Sequence, residues 1–171
     1  WHSRWKGFAA NDYISLNSTE AVGASTAVFA TLPTSALFYT GTAAYHINAN
    51  LIAYCFTSIQ GFSKIGSYTG NNNADGTFVY TGFRPAWIMR KNIDGGITES
   101  WIMQDNKRNT SNVVDKWLEA NNTATEDTAY QTDFLSNGFK MRSNNDGTNR
   151  NSTTYIYMAF AEEPFVASNF N

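Results

Sequence analysis

The chain has 171 residues, a formal net charge of -2 and only 15% charged side chains, with Phe, Tyr and Trp making up another 15%. That length suits one domain with a real core or one and a half smaller units, and the charged share lies well below the roughly 25% usual for soluble domains. The absence of any Lys and Arg cluster argues against a nucleic-acid partner, and no apolar stretch reaches the roughly 20 residues that a membrane-spanning helix needs.

Polarity is carried instead by Asn, Thr, Ser and Gly, set between short apolar runs. Aromatic and β-branched residues suit a pleated face and Asn, Gly and Asp suit tight turns, which is the composition of an extracellular or virion β-protein. The opening residues, WHSRWKGF, do not have the pattern of a secretion signal.

In chain order the period-two runs are DYISLNS, SALFYTG, NLIAYCFTSI, TFVYTGF, PAWIMRKN, SWIMQDN, NGFKMRS and TTYIYMAFAEEPF. Runs of this length separated by Gly, Asn and Asp clusters predict an all-β, antiparallel β-sandwich. In the last run both faces are partly apolar, with Tyr155, Tyr157 and Ala159 opposed to Ile156, Met158 and Phe160, so this strand is expected to be central. Only VVDKWLEANN has helical spacing, with Asp115 and Glu119 on one side and Val114, Trp117 and Leu118 on the other, and it is compatible with a two-turn helix. Between two Tyr-Thr-Gly runs, Asp75-Gly76 predicts a hairpin turn, because such turns need residues that tolerate positive φ.

The sequence also resembles itself at a separation of about 104 residues: YISLNST aligns with WLEANNT, and LIAYCF with YIYMAF, matching Ile52 to Ile156 and Phe56 to Phe160. This predicts tandem repeats, with residues 1–62 an incomplete first copy and 63–171 a complete second. A truncated sandwich would expose sheet edges and half an apolar face. The chain is therefore expected to be part of a longer protein or a unit stable only in an assembly.

Signals for chemistry are weak. Cys55 lies in an apolar run and is expected to be a small buried hydrophobe. His2 and His46 do not have zinc spacing with it, and His46 is expected to be a surface or satisfied strand residue. Glu99, Asp105, Glu119, Glu126, Asp127, Glu162 and Glu163 fall mostly in turns, where a solvated acid is the default, so no catalytic pair stands out for glycan hydrolysis. Asn71, Asn73, Asp75 and Gly76 mimic part of a calcium loop, but Gly82 stands where the bidentate Glu belongs. Gly70 and Gly76 suggest a phosphate loop, but the Lys that must follow is absent. No catalytic residue, metal ligand or cofactor is assigned. Trp1, Trp5 and Tyr130 lie outside the strong runs and are the aromatic candidates for stacking on a sugar.

Gly82, Phe83, Pro85, Trp87, Ile88 and Lys91, then Trp101, Trp117-Leu118, Asn121, Phe134, Ser136-Asn137-Gly138-Phe139 and Tyr155-Ile156 to Phe160, form a longer pattern. It resembles a repeated β-rich domain, otherwise of unknown function, in tail-fibre-like virion proteins of environmental and marine bacteriophages. The resemblance implies a jelly-roll or lectin-like sandwich in a non-enzymatic virion component. It also implies display on the virion surface, and partnership with copies of itself or other virion proteins and with a cell-surface glycan. Membrane insertion is not expected. The rival expectations are a polysaccharide-degrading tail-spike enzyme and a bacterial surface adhesin module.

Overall fold

The computed structural model describes residues 1–47, 50–94 and 98–164. Its strands pair only antiparallel. The largest sheet has five strands in the order β4 (Ser63–Thr69), β11 (Thr154–Ala161), β6 (Pro85–Asn92), β7 (Ile102–Asp105) and β8 (Leu118–Glu119). A three-stranded sheet, β5 (Phe78–Tyr80), β10 (Gly138–Met141) and β9 (Thr132–Leu135), lies over one of its faces. The N-terminal residues form a second small sheet from β1 (His2–Ser3), β2 (Asp12–Ser15) and β3 (Gly23–Ala24). Among the described residues there are also two single-turn helices, α1 (Ala44–Ile47) and α2 (Asp146–Asn149).

Alternation along the strands explains the layering, since successive side chains point to opposite faces. Tyr155, Tyr157 and Ala159 of β11, with Tyr68 and Ile88, meet Val79, Phe134, Phe139 and Met141 of the small sheet in the main core. The opposite residue of β11, Ile156, joins Trp101, Phe8 and Ile14 in a second core under the N-terminal sheet. The sandwich expectation is met. As expected, β11 is central, paired to β4 on one side and β6 on the other. Ser136-Asn137 forms the turn of a two-strand hairpin that brings Phe139 opposite Phe134.

Four expectations are corrected. First, β4 and β5 are not a hairpin: they belong to different sheets, and residues 70–77 arch across the sandwich edge. Positive φ falls on Asn72 and Gly82 in this region, not on Asp75 or Gly76. Gly76 is needed for close approach, because a Cβ there would come within 2.7 Å of the Met141 backbone oxygen. Second, Asn71 and Asn73, which mimic calcium ligands in the sequence, instead tie this arch to α2. The buried Asn149 side chain donates to Asn71 Oδ1 and to the Asn73 and Ser143 carbonyls, and accepts from the Asn71 N–H.

Third, residues 113–122 contain no helix. Val114 bridges to Thr132, Trp117 bridges to Asp127, and Leu118–Glu119 form β8. Burial of Trp117 against Tyr130 outweighs a weak local helical preference. Fourth, the runs SALFYTG and NLIAYCFTSI form no strand and are largely exposed. A period-two pattern reports only fitness for a pleated surface; a strand also needs an edge to pair with, and among the described residues these make only the single Ile59–Ser63 bridge. Cys55 is consequently exposed rather than buried, and His46 sits in α1 rather than a strand.

The 104-residue offset is not confirmed by the fold, since its second aligned pair differs in structure. Residues 155–160 are paired on both sides within β11, whereas 51–56 carry no strand. Phe165, the end of the aligned second copy, lies outside the described residues.

Candidate interaction surface

The feature that sets this surface apart is a stretch of chain rather than a cleft. Of the fifteen exposed large hydrophobic side chains among the described residues, eleven fall between Leu32 and Phe62. Ile52 is 74% exposed and Tyr54 68%. With roughly 150–250 Å² on each aromatic side chain and somewhat less on each aliphatic one, the eleven together leave on the order of 1,000 Å² of apolar surface open along the stretch. The stretch is anchored at its far end. Phe56 and Phe62 pack edge-on against Phe160, which also meets Trp87, on the outer face of the large sheet. Ser58 exchanges hydrogen bonds with the Ile65 backbone, and the Ile59 N–H donates to the Ser63 carbonyl, holding the chain along β4.

This stretch has a sequence signature that strand patterns do not report. No Lys, Arg, Asp or Glu occurs between Glu20 and Lys64, although the chain has 26 such residues in total. Depletion of charge is what marks the centre of a protein interface. Strand periodicity alone assigns these residues to a buried face; in the structure they are exposed and uncharged.

A shallow cavity of about 350 Å³ opens beside the anchor, lined by Ser58, Gln60, Lys64, Tyr80 and Gly82 among others. Phe78 and Tyr80 of β5 are exposed on the same outer side of the small sheet, next to Gly138, whose missing Cβ makes room for the Phe78 ring.

The three expected sugar-stacking residues occupy separate surroundings. Trp1 is 70% exposed, its ring 6.5 Å from that of Tyr54. Trp5 packs edge-on against Phe8 at the second core. Tyr130 is only 8% exposed and rests on Trp117 with ring centroids 4.6 Å apart, so its faces serve the core.

The candidate calcium ligands do not converge. Asn71 and Asn73 turn their side-chain oxygens on the N–H groups two residues ahead, and Asp75 is paired with Lys140 and Arg142. Lys140 holds the Asp75 carboxyl below its usual range. Among the described residues no group of three His, Cys, Asp or Glu side chains is placed to hold a metal.

The acids of the sequence are mostly engaged at the surface. Asp105 and Glu126 both meet Arg108, Glu126 also meets Lys116, and Glu162 pairs with Arg84. Glu99 differs: burial, and secondarily the charge of Asp146, raise its carboxyl above the usual value, while Lys91 pulls it the other way.

Two buried cations went unmarked in the sequence. Arg90 is fully buried between the sheets, donating through Nη2 to Gln104 Oε1 and through Nη1 to Met141 Sδ at 3.3 Å. Gln104 is itself fully engaged: Oε1 also accepts from Thr132 Oγ1, and Nε2 donates to the carbonyls of Val114 and Tyr130. Lys91, on the opposite face of β6, donates to the carbonyls of Thr19 and Asn92, and burial lowers its pKa from 10.5 to about 8. Together with Trp101 Nε1, which donates to the Ser15 carbonyl, it fastens the N-terminal sheet to the large one.

A known family, described as a domain of unknown function, DUF7483, matches residues 1–164. The chain belongs to the DUF7483 family. The match takes in both the N-terminal sheet and the sandwich, across the boundary expected at residues 62 and 63. Among curated proteins and among solved structures, nothing matches the DUF7483 chain.

Proposed function

We propose that this DUF7483 chain is a non-enzymatic structural module of a virion, of the tail-fibre or surface-decoration kind. It acts by assembling with copies of itself or with neighbouring virion proteins, and it is displayed where a cell-surface glycan can be a further ligand. The observation that carries the reading is the exposed, charge-free apolar stretch between Leu32 and Phe62. Apolar surface on this scale is retained in a folded protein where a partner covers it. Sedimentation equilibrium of the purified chain tests the reading. A discrete oligomer in the micromolar range supports it, and a dispersed monomer at about 100 μM, where interfaces of standard size are normally formed, overturns it.

One observation favours a second reading, a polysaccharide-cleaving enzyme. Glu99 is a partly buried acid whose carboxyl is raised by burial and, secondarily, by the charge of Asp146, as the proton donor of glycan hydrolysis is. Release of reducing ends from capsular polysaccharide, abolished by Glu99→Gln, would establish it in place of the first.

A further inference from the structure

Residues 50–56, NLIAYCF, combine four properties. They are rich in the aliphatic and aromatic residues that suit a strand. They are exposed, with Leu51, Ile52, Tyr54 and Phe56 all more than half open to solvent. They carry no charge. Among the described residues, none of their backbone N–H or C=O groups makes a hydrogen bond. A run with strand character and a full set of unpaired backbone groups is a template for pairing with another chain, with main-chain bonds giving affinity and alternate side chains giving fit.

We infer that residues 50–56 pair antiparallel with the same residues of a second copy, forming an intermolecular two-stranded ribbon about a two-fold axis. This rests on the assembly reading and names its partner. A second copy is favoured over a foreign protein on three counts. An antiparallel pairing of identical segments is self-complementary, as a two-fold contact requires. The segment lies in the uncharged run from residue 21 to 63, so nothing in it selects a partner of opposite charge and nothing repels its twin. The apolar area open on the surrounding stretch, on the order of 1,000 Å², meets the roughly 800 Å² that each partner contributes to a standard interface. The flanking anchors of Ser58 and Ile59 on β4 fix where the segment leaves the sandwich, so both copies present it from the same position.

The experiment is hydrogen–deuterium exchange of the full chain at low and high concentration, with its mass measured in parallel and the exposed Cys55 alkylated by a maleimide as a second probe. The inference expects a dimer whose amides at 50–56 slow at least tenfold on association and whose Cys55 reacts more slowly. Ile52→Pro, which removes an N–H and resists strand geometry, is expected to weaken dimerisation at least tenfold. Because the residue is exposed and unbonded, the thermal midpoint of the dilute chain stays unchanged. An oligomer in which 50–56 exchange as fast as in the dilute chain overturns the inference and leaves the assembly reading standing. An open-ended series of masses, rather than a dimer, overturns the two-fold pairing. A monomer at all concentrations overturns both.

Discussion

Replacing Gln104 with Leu removes the hub that makes the buried Arg90 tolerable. A guanidinium between two sheets keeps its charge, and burial without a carboxylate lowers its pKa. Here its terminal nitrogens are met by an amide oxygen and a thioether, while its Nε has no hydrogen-bond partner. Gln104→Leu keeps a comparable side-chain volume but deletes the Arg90 contact, the Thr132 contact and both carbonyl contacts. The Val114 carbonyl retains the Thr132 N–H, so its loss is partial. A hydrogen bond to a charged group contributes about 1.5–3 kcal/mol and an orphaned buried acceptor costs about 1–3 kcal/mol. The expected loss is about 3–5 kcal/mol, or roughly 6–20 °C in the thermal midpoint at about 2–4 °C per kcal/mol for a chain of this size. Arg90→Leu made in the Gln104→Leu background is expected to recover part of that loss, since it removes the stranded charge. Urea unfolding of the two variants measures both. A loss under 1 kcal/mol for Gln104→Leu, or a further loss in the double variant as large as the first, would refute the reasoning.

Asn149→Ala removes the clasp between the arch and α2 and is expected to cost about 2–4 kcal/mol, from several lost buried bonds at about 1 kcal/mol each; limited proteolysis should then cut first within residues 71–75. Tyr130→Ala is expected to cost about 3 kcal/mol of stability as a core deletion. Trp1→Ala should leave stability unchanged and remove any signal the wild type gives on a glycan array; the reverse pattern would return Tyr130 to the surface. Burial lowers Lys91 to about 8 in the folded chain from 10.5, so between those values the unfolded chain binds more protons and stability contributed by this group rises with pH. Tyr130 and Tyr155, raised to about 12 by burial, oppose it above their ordinary value of 10. Chemical denaturation from pH 7.5 to 9.5 should therefore show a rise in the wild type that is absent in Lys91→Met.

Sequence legibility followed burial. β11 could be read as central because both of its faces are apolar, and only a strand covered on both sides sustains that. The arch could not: Asp75-Gly76 has hairpin chemistry, yet Gly76 is there for closeness to Met141, and that neighbour is 65 positions away. Tyr130 stood outside any strong run and so looked available, although contacts distant in sequence bury it. The runs around 35–41 and 50–59 misled for a different reason. Their pattern fits a strand, but a pattern does not say whose strand pairs with it, and the absence of charge from residue 21 to 63 was the signal that bore on that question.

The central claim is that this uncharged stretch exists to be covered by another molecule. Its most direct test is the mass of the chain in solution compared with that of a variant carrying Leu51→Ser, Ile52→Ser and Tyr54→Ser, measured by sedimentation equilibrium from about 1 to 100 μM, the range that brackets interfaces of ordinary strength. The account predicts a wild-type oligomer and a monomeric variant with an unchanged unfolding midpoint when dilute. Identical masses for the two chains would contradict it.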